Sequence, residues 1–527
     1  MNGTQRQFEG LLDRYFEETL ADHPVWANRA GLRDGEGKLG KASYAHLVRL
    51  ERRRQRTLVS LDSINPRELE AEQHLDRLAL RAMIRQECDE YARKRTELEP
   101  AAVGAVLDVL QFELQRGETE RARAKRNVLS LLRAAPGFLE EAAMAVVRPE
   151  RVWCKVMEQT CAGAPALFDA VDAFTREDHS TAAARKAVVA YRDRVMSLAP
   201  APEGSFAIGA VSLQRLVHEQ LGLDYSLGEI EALAMAETRR ISALLEHACR
   251  RFGKGRTAES IIAEARAQWQ PGNDLLGLYR KQVQRIAGGF RAARALSFPE
   301  AEELEVRLVP PFMRHLFPTA AYSSPGAFEK RQRGIFWVND LGLAKSAPAE
   351  RQAERQQHFG VSLTAAHEAY PGHHLQFVTA NRHPRQWRRL FAHAVFYEGW
   401  TLWCEQMMVD LKIDPSPWVP VQQLHDALWR AHRILVDLRL QTGRYSYAQG
   451  VTHLKRHLGF TRTRSEAEIN WYSAAPGVPM SYWLGRLENE RLRLRLMQGG
   501  GWSLRRFNDW LLSFGTLPQS WIEKYGI

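Results

Sequence analysis

The sequence predicts a mainly α-helical protein with one small β-sheet. Apolar residues recur at the spacing of an amphipathic helix through most of the chain, for example in residues 6–20, 70–95 and 127–147. Two segments depart from that spacing and are typical of strands. Residues 304–309 alternate between apolar and charged side chains, and residues 334–339 are apolar and rich in β-prone residues. With 527 residues, the chain is long enough for about three domains or for one large fold with subdomains.

Local signals place the boundaries of individual elements. Residues 226–229, with the sequence SLGE, form a capping-box pattern at the start of a helical stretch over residues 227–252. Residues 465–468, with the sequence SEAE, form a second pattern of this kind. Residues 491–496 alternate between arginine and leucine, but they continue a long helical pattern and are therefore predicted to be helical. The sequence has no visible internal repeat.

Composition excludes several classes of protein. Hydrophobic residues make up 45% and charged residues 26% of the chain, which is ordinary for a globular protein and excludes a disordered one. No apolar run approaches the ~20 residues that span a bilayer, and the polar first residues lack the apolar core of a signal peptide. We therefore expect a cytoplasmic protein with no membrane partner. The five cysteines are odd in number and form no CxxC motif, which predicts free thiols in a reducing compartment.

The chain carries 73 basic and 62 acidic side chains, which gives a net charge of +11 at neutral pH. Such a surplus permits nucleic-acid binding, for which a steep salt dependence would be the signature. However, the arginines are dispersed along helical segments such as 50–56 and 117–126, where we expect them on solvated faces. No zinc-finger, RNA-recognition or basic-zipper signature accompanies them. The sequence therefore predicts no nucleic-acid partner.

The segment with the most chemical information is residues 364–376, TAAHEAYPGHHLQ. It begins like the HExxH motif, in which two histidines one helical turn apart bind zinc and the glutamate between them activates water. Four residues after His367, however, the chain has Pro371 instead of a histidine. The next histidines follow six and seven positions after His367. On a straight helix these positions rise by ~9 and ~10.5 Å, which is a poor placement for two bonds to one ion.

A break in the helix would remove this geometric difficulty. Pro371 removes a backbone donor and Gly372 relaxes the backbone, so a widened turn at this point could absorb the two extra residues. His373 would then be the second metal ligand beside His367. His374 would require three residues to be absorbed, so it is the alternative ligand, or a group that supports the ligands or binds substrate.

Glu398 is the candidate for the third ligand. It lies in the segment FYEGWTLWCE, far enough from His373 for a helix end, a loop and a neighbouring helix. A carboxylate from that helix completes a set of two histidines and one glutamate that leaves a coordination position open for water. Glu405 follows seven residues later on the same helical face, where it could orient a ligand or could be an ordinary exposed carboxylate. An HE pair or an HH pair alone is common, whereas this combination predicts a metal site.

These residues resemble the bacterial DUF885 family, whose members carry HExxPGHH followed by EGWxxxxE. The family is grouped with HExxH zinc metallopeptidases and is distantly similar to those of the oligopeptidase, angiotensin-converting-enzyme and carboxypeptidase Taq types. The resemblance extends over nearly the whole chain, because further family motifs occur in order. These motifs are residues 16–24, Ala321–Tyr322, residues 337–339, residues 433–437, Pro476–Gly477, Ser481–Tyr482 and Gly485.

The resemblance implies a helical, two-lobed, metallopeptidase-like fold with a deep cleft and the small β-sheet near the metal helix. An N-terminal helical lobe would span residues 1–300, and a lobe that carries the metal motif would span residues 301–527, interlocked as one unit. In such a fold, the β-prone segment 334–339 could pair with an extended peptide as an added strand.

The resemblance also implies that zinc is the cofactor, held by His367, Glu398 and one of the two neighbouring histidines of the motif, with Glu368 as the general base. In relatives within the superfamily, a C-terminal tyrosine hydrogen-bonds the oxyanion, and Tyr482 is the matching candidate. Arg486, one turn later on the same face, is the candidate for substrate binding. The competing interpretation is that Tyr482 is a core aromatic residue and Arg486 a surface cation.

Three positions depart from the family pattern. The family has glutamine where this chain has Val478, and histidine where this chain has Gln441 and Asn508. These changes leave the expected metal ligands intact, but they put the substrate pocket in doubt. A non-peptide amide substrate, or a non-catalytic binding protein on a metallopeptidase fold, is therefore the alternative to a peptidase.

The leading hypothesis is a zinc-dependent hydrolase that cleaves amide bonds in short peptides, with a metal-activated water and Glu368 as the base. Two histidines and one carboxylate also describe a non-haem iron(II) site. The glutamate beside His367 has no obvious role in an oxygenase, so the hydrolase is preferred over an iron enzyme.

Overall fold

The structure is a computed structural model that describes residues 1–177, 179–310, 314, 319–341 and 347–526. Helices dominate this part of the chain and three short strands form one sheet, so the predicted mainly α-helical class is confirmed. Within the same residues, no helix combines the length and the apolar character that a membrane crossing requires. All five cysteines are free, as predicted, and the structure also shows that they are buried.

Contacts divide the chain into two compact units. The first comprises Met1–Ser212, Leu440–Gln449 and Glu466–Ala474, and the second comprises Leu213–Arg439, Gly450–Ser465 and Ala475–Ile527. Residue 300, the expected boundary between two lobes, lies inside the second unit. All of the candidate site residues belong to the second unit.

The first unit is built from helices joined by short connections. In chain order they are α1 (Gly3–Asp22), α2 (Pro24–Arg29), α3 (Tyr44–Asp62), α4 (Ala71–Ala92), α5 (Arg95–Leu98), α6 (Ala102–Arg116), α7 (Arg121–Ala145), α8 (Arg151–Thr175) and α9 (Ala182–Met196). Helix α1 begins at a capping box formed by Asn2 and Gln5. Its apolar face, which includes Phe8 and Phe16, is buried as the spacing predicts.

The remaining helices follow from residue 210, and some of them contribute residues to both units. They are α10 (Ala210–Glu219), α11 (Leu227–Cys249), α12 (Ala258–Gln268), α13 (Leu275–Ala292), α14 (Pro348–Gln356), α15 (Val361–Glu368), α16 (His373–Ala380), α17 (Ala394–Asp410), α18 (Val419–Gln441), α19 (Tyr447–Leu458), α20 (Arg462–Ala474), α21 (Val478–Gln498), α22 (Leu504–Leu512) and α23 (Gln519–Tyr525). Short 3₁₀ helices occur at Arg33–Gly35, Pro66–Glu68, Arg250–Phe252 and Gln386–Leu390. Residues 491–496 lie in α21, so their predicted helical state is confirmed.

The two capping predictions have different outcomes. Helix α11 starts where predicted, because the Glu229 backbone N–H donates to the Ser226 hydroxyl at 3.2 Å and the Ser226 N–H donates to the Glu229 carboxylate at 2.7 Å. The capping prediction at 465–468 is wrong, because α20 already begins three residues earlier. The Ser465 hydroxyl instead donates to the Thr461 carbonyl one turn back, at 2.9 Å.

The sheet has the strand order β1–β3–β2. Strand β1 (Glu302–Leu308) pairs with β3 (Gln332–Val338) in parallel, and β2 (Ala320–Ser323) pairs with β3 in the antiparallel direction. The predicted strands at 304–309 and 334–339 correspond to β1 and β3 and are confirmed. Strand β2 has no counterpart among the predicted elements.

The central position of β3 corrects one expectation about substrate binding. The expectation that residues 334–339 pair with an extended peptide is wrong, because the backbone of β3 is already paired on both sides, with β1 and with β2. Residues 335–338 are all buried, which explains why this segment is continuously apolar rather than alternating. Within the described sheet, β2 is an outer strand, and it contacts α15, the helix that carries His367.

Candidate metal centre

The structure brings together three of the residues that the sequence predicts as metal ligands. His367 lies near the end of α15, His373 is the first residue of α16, and Glu398 lies in α17. The Nε2 atoms of both histidines are 3.6 Å from the same oxygen, Oε2 of Glu398. One donor atom from each of the three residues lies within 4.8 Å of the other two, and all three residues are buried.

A break between two helices places His373 beside His367. Helix α15 ends at Glu368 and α16 begins at His373, so the chain leaves the helical conformation completely instead of widening one turn. Gly372 makes this connection possible, because a Cβ atom at that position would lie 1.8 Å from the His367 carbonyl oxygen. The indole N–H of Trp400 donates to the Pro371 carbonyl at 2.8 Å and ties the connection to α17.

Glu405 contacts His367 from the side opposite the cluster. Its Oε1 atom is 2.7 Å from His367 Nδ1, and the Arg430 guanidinium lies 3.8 Å from the same oxygen. Burial lowers the pKa of His367, but the neighbouring carboxylates of Glu398 and Glu405 outweigh burial and raise this pKa to about 10. Once His367 is neutral, a hydrogen bond from Nδ1–H to Glu405 leaves the Nε2 lone pair directed at the cluster. The exposed-carboxylate alternative for Glu405 is excluded, since only 4% of this residue is exposed.

The donor set fits a zinc ion. Tetrahedral coordination with bonds of about 2.1 Å separates the ligand atoms by about 3.4 Å, close to the 3.6 Å observed here. Oε2 of Glu398 is buried and has no hydrogen-bond partner, which is costly for a carboxylate oxygen unless a cation satisfies it. Burial lowers the pKa of His373 to about 4, so its imidazole is neutral and can donate a lone pair at neutral pH. These three residues could therefore hold a metal ion and leave one coordination position open.

Glu368 follows His367 in the chain and is half-buried at the end of α15. Burial raises the pKa of its carboxyl group to about 7; the charges of Glu398 and Glu405 act in the same direction and that of His367 opposes them. A carboxylate with such a pKa can both accept and release a proton near neutral pH, which is the property required of a general base.

A close helix crossing places Tyr482 beside Glu398. A Cβ atom on Gly485 in α21 would lie 1.9 Å from the Val395 carbonyl oxygen in α17, so the two helices approach more closely than any larger residue allows. Three residues before Gly485, the hydroxyl of half-buried Tyr482 donates a hydrogen bond to Glu398. Burial and the charge of Glu398 raise the pKa of Tyr482 well above its ordinary value, so the hydroxyl keeps its proton.

His374 lies outside the cluster, which distinguishes it from His373. Its Nε2 atom is 2.6 Å from the Glu302 carboxylate on β1, and its Nδ1 atom is 2.9 Å from the Tyr322 hydroxyl on β2. The Tyr370 hydroxyl donates to the same carboxylate at 2.7 Å. The second histidine of the HH pair therefore ties the motif to the sheet. Glu302 carried no signal in the sequence, and Tyr322 stood out only as part of a family motif, with no indication of its contact with His374.

Arg486 makes its contacts away from the cluster. Its guanidinium pairs with Glu490 at 3.0 Å and lies 5.1 Å from the ring of Trp403 and 6.0 Å from that of Trp483. None of these contacts reaches the candidate ligands, so the expected role in substrate binding has no support from the geometry. The surface-cation alternative does not describe it either, because Arg486 is buried.

Two of the three atypical positions make buried hydrogen bonds. Asn508 accepts a hydrogen bond from the Trp403 indole at 3.0 Å and donates to the Ala295 carbonyl at 2.9 Å. Gln441 donates to the Tyr472 carbonyl at 2.8 Å, and Val478 is the first residue of α21. The amides at 508 and 441 therefore satisfy buried polar groups.

Comparisons with known proteins agree with the predicted family and fold. The model of the family described as "Bacterial protein of unknown function (DUF885)" matches residues 24–525, so the chain belongs to this family. Among solved structures, a putative lipoprotein of unknown function from Shewanella oneidensis is similar, with 16% sequence identity and a TM-score of 0.78 over 98% of this chain and 99% of that one. A putative lipoprotein from Colwellia psychrerythraea has 18% identity and a TM-score of 0.68 over 99% of both chains. No curated protein matches the chain.

Proposed function

We propose that this member of the DUF885 family is a zinc-dependent hydrolase that cleaves amide bonds in short peptides. The observation that carries the proposal is the position of Glu398 Oε2, which is 3.6 Å from Nε2 of both His367 and His373 and lacks any other partner. Catalytic zinc sites in hydrolases often have two histidine nitrogens, one carboxylate oxygen and an open coordination position. His367, His373 and Glu398 form a set of this kind, so zinc is the metal that we propose.

His367, His373 and Glu398 would hold the ion, which when bound lowers the pKa of a water molecule and polarises the substrate carbonyl. Glu405 fixes the ring of His367, so that Nε2 stays directed at the ion. Glu368 takes the proton from the attacking water and passes it to the leaving amine, which is the role of a general base.

Tyr482 supplies a second stabilising group. Its hydroxyl is protonated and hydrogen-bonded to Glu398, so it could donate a hydrogen bond to a substrate oxyanion that develops beside the candidate ligands. The Arg433 guanidinium lies 4.5 Å from the centre of the Tyr482 ring and restrains it by a cation–π contact.

A pair of variants tests this proposal. Wild type should contain one zinc ion per chain and should cleave members of a mixed pool of short peptides. Glu368→Gln should keep its zinc and lose about 10²- to 10⁴-fold in rate, because only the proton transfer is removed. His367→Ala should lose both zinc and cleavage. Zinc content without cleavage of any peptide would reject the peptidase and favour a non-peptide amide substrate or a binding protein.

A further inference from the structure

Three aromatic side chains surround the candidate ligand His373. Phe377 follows it by one turn in α16, Tyr322 comes from β2, and Tyr397 comes from α17. Their ring centres lie 5.9, 6.4 and 5.9 Å from the centre of the His373 imidazole, respectively. We call Tyr322, Phe377 and Tyr397 the aromatic wall.

The aromatic wall is continuous and partly exposed. Phe377 lies in the middle, 6.5 Å from the Tyr322 ring and 5.8 Å from the Tyr397 ring. All three side chains are half-buried, whereas the aromatic residue next to Tyr397 in the chain, Phe396, is completely buried. Single exposed apolar residues are common on protein surfaces, whereas contiguous ones often mark a binding groove. Here an apolar surface remains accessible beside a candidate metal ligand.

The hydroxyl of Tyr322 is already hydrogen-bonded. His374 Nε2–H donates a hydrogen bond to the Glu302 carboxylate at 2.6 Å, which leaves Nδ1 as an acceptor for the Tyr322 hydroxyl at 2.9 Å. Gly334 makes room for this bond, since a Cβ atom there would lie 2.5 Å from both bonded atoms. With its polar end satisfied in this way, Tyr322 contributes ring carbons to the wall.

We propose that the aromatic wall binds an apolar, preferably aromatic, side chain of the substrate residue next to the bond that is cleaved. This inference rests on the proposed function, because it places the scissile carbonyl beside His373. Planar apolar groups gain both burial and ring stacking on such a surface. The neighbouring carboxylates Glu302, Glu368 and Glu398 disfavour an acidic side chain. The planes of the Tyr322 and Phe377 rings differ by 13°. Two nearly parallel rings suit stacking against an aromatic substrate side chain better than they suit a cage around a cationic one.

Hydroxamates test the inference without requiring a known substrate, because they bind zinc directly. The zinc-loaded full-length protein would be titrated calorimetrically with acetohydroxamate, with 3-phenylpropionohydroxamate, and with an analogue that carries an ammonium group instead of the phenyl ring. We expect the phenyl compound to bind about 10- to 100-fold more tightly than acetohydroxamate. Phe377→Ala should reduce this ratio to less than about threefold, and Phe377→Leu should retain part of it.

A matched control and the zinc content of each variant make the outcomes distinguishable. Phe328→Ala removes another half-buried phenylalanine, whose ring partner is Trp387 instead of His373, and should leave the ratio unchanged. Three outcomes would overturn the proposed role of the aromatic wall while the metal proposal stands. They are equal affinity for the phenyl and methyl compounds, higher affinity for the ammonium compound than for the phenyl compound, and an affinity ratio that Phe377→Ala does not change. Failure of all three hydroxamates to bind, or absence of zinc, would overturn the proposed function itself.

Discussion

Gly372→Ala tests how the motif achieves its metal geometry. The added Cβ atom would lie 1.8 Å from the His367 carbonyl oxygen and 2.5 Å from that of Ala366. Ordinary van der Waals contact begins near 3.4 Å, so the backbone at Gly372 must move by roughly 1.6 Å. His373, the next residue, must move with it.

The size of this movement sets the expected loss of zinc. Metal–ligand distances tolerate deviations of about 0.2 Å, so a shift of roughly 1.6 Å removes His373 from the coordination sphere. Changes to groups that only support a ligand already cost 10- to 100-fold in metal affinity. We therefore expect Gly372→Ala to bind zinc at least ~100-fold more weakly, measured by competition with a chromogenic chelator. The melting temperature in the presence of a chelator would show separately whether the variant folds.

Gly288→Ala is the matched control. Gly288 lies in helix α13, and a Cβ atom there would have no neighbour within 4 Å. This substitution should leave zinc affinity unchanged and should stabilise the protein by roughly 0.5–1 kcal/mol, since alanine favours helix. If Gly372→Ala binds zinc as tightly as wild type, the close approach of residue 372 to the His367 backbone does not position His373, and our explanation of the HExxPGHH spacing is refuted.

Three further predictions concern the surrounding residues. Glu405→Ala should weaken zinc binding by about 10- to 100-fold in the same competition assay, because His367 loses the carboxylate that orients it, and an unchanged affinity would contradict that role. Tyr482→Phe should keep its zinc and lower kcat by about 10²- to 10³-fold with little change in KM, and equal kcat values would assign the hydroxyl to packing alone. Burial lowers the pKa of His393 to about 4 in the folded protein. As the pH drops from about 6.5 to 4, the histidine therefore gains a proton in the unfolded state before it does so in the folded state, and the free energy of unfolding should fall. His393→Gln should reduce that slope by up to about 1.4 kcal/mol per pH unit in urea titrations, and an unchanged slope would show that His393 does not contribute.

Much of the fold could be predicted because its signals are local. The start of α11 depends on two side chains three residues apart, and the apolar face of α1 follows from helical spacing. Strand β2 escaped prediction because it has only four residues and none of them is fully buried. The peptide pairing expected for residues 334–339 was wrong, because the order of strands depends on contacts between segments that are distant in the chain.

The candidate site shows the same division between local and distant information. Glu398 and Glu405 could be assigned to one face because seven residues make two helical turns. The choice between His373 and His374 could not be made, because it depends on Gly372 approaching the helix backbone and on Glu302 lying 72 positions from His374. Arg486 was expected at the site because it follows Tyr482 by one turn, but Glu490, one turn further along the same helix, holds its guanidinium instead.

The most direct test of the account is X-ray absorption at the zinc edge on wild type and on His373→Ala. For wild type we predict one zinc ion per chain, with two imidazole ligands and oxygen ligands at about 2.0–2.1 Å. For His373→Ala we predict loss of one imidazole from the spectrum or loss of the ion. A wild-type protein that binds no zinc, or a zinc spectrum that His373→Ala leaves unchanged, would contradict the assignment of His367, His373 and Glu398 as the metal centre.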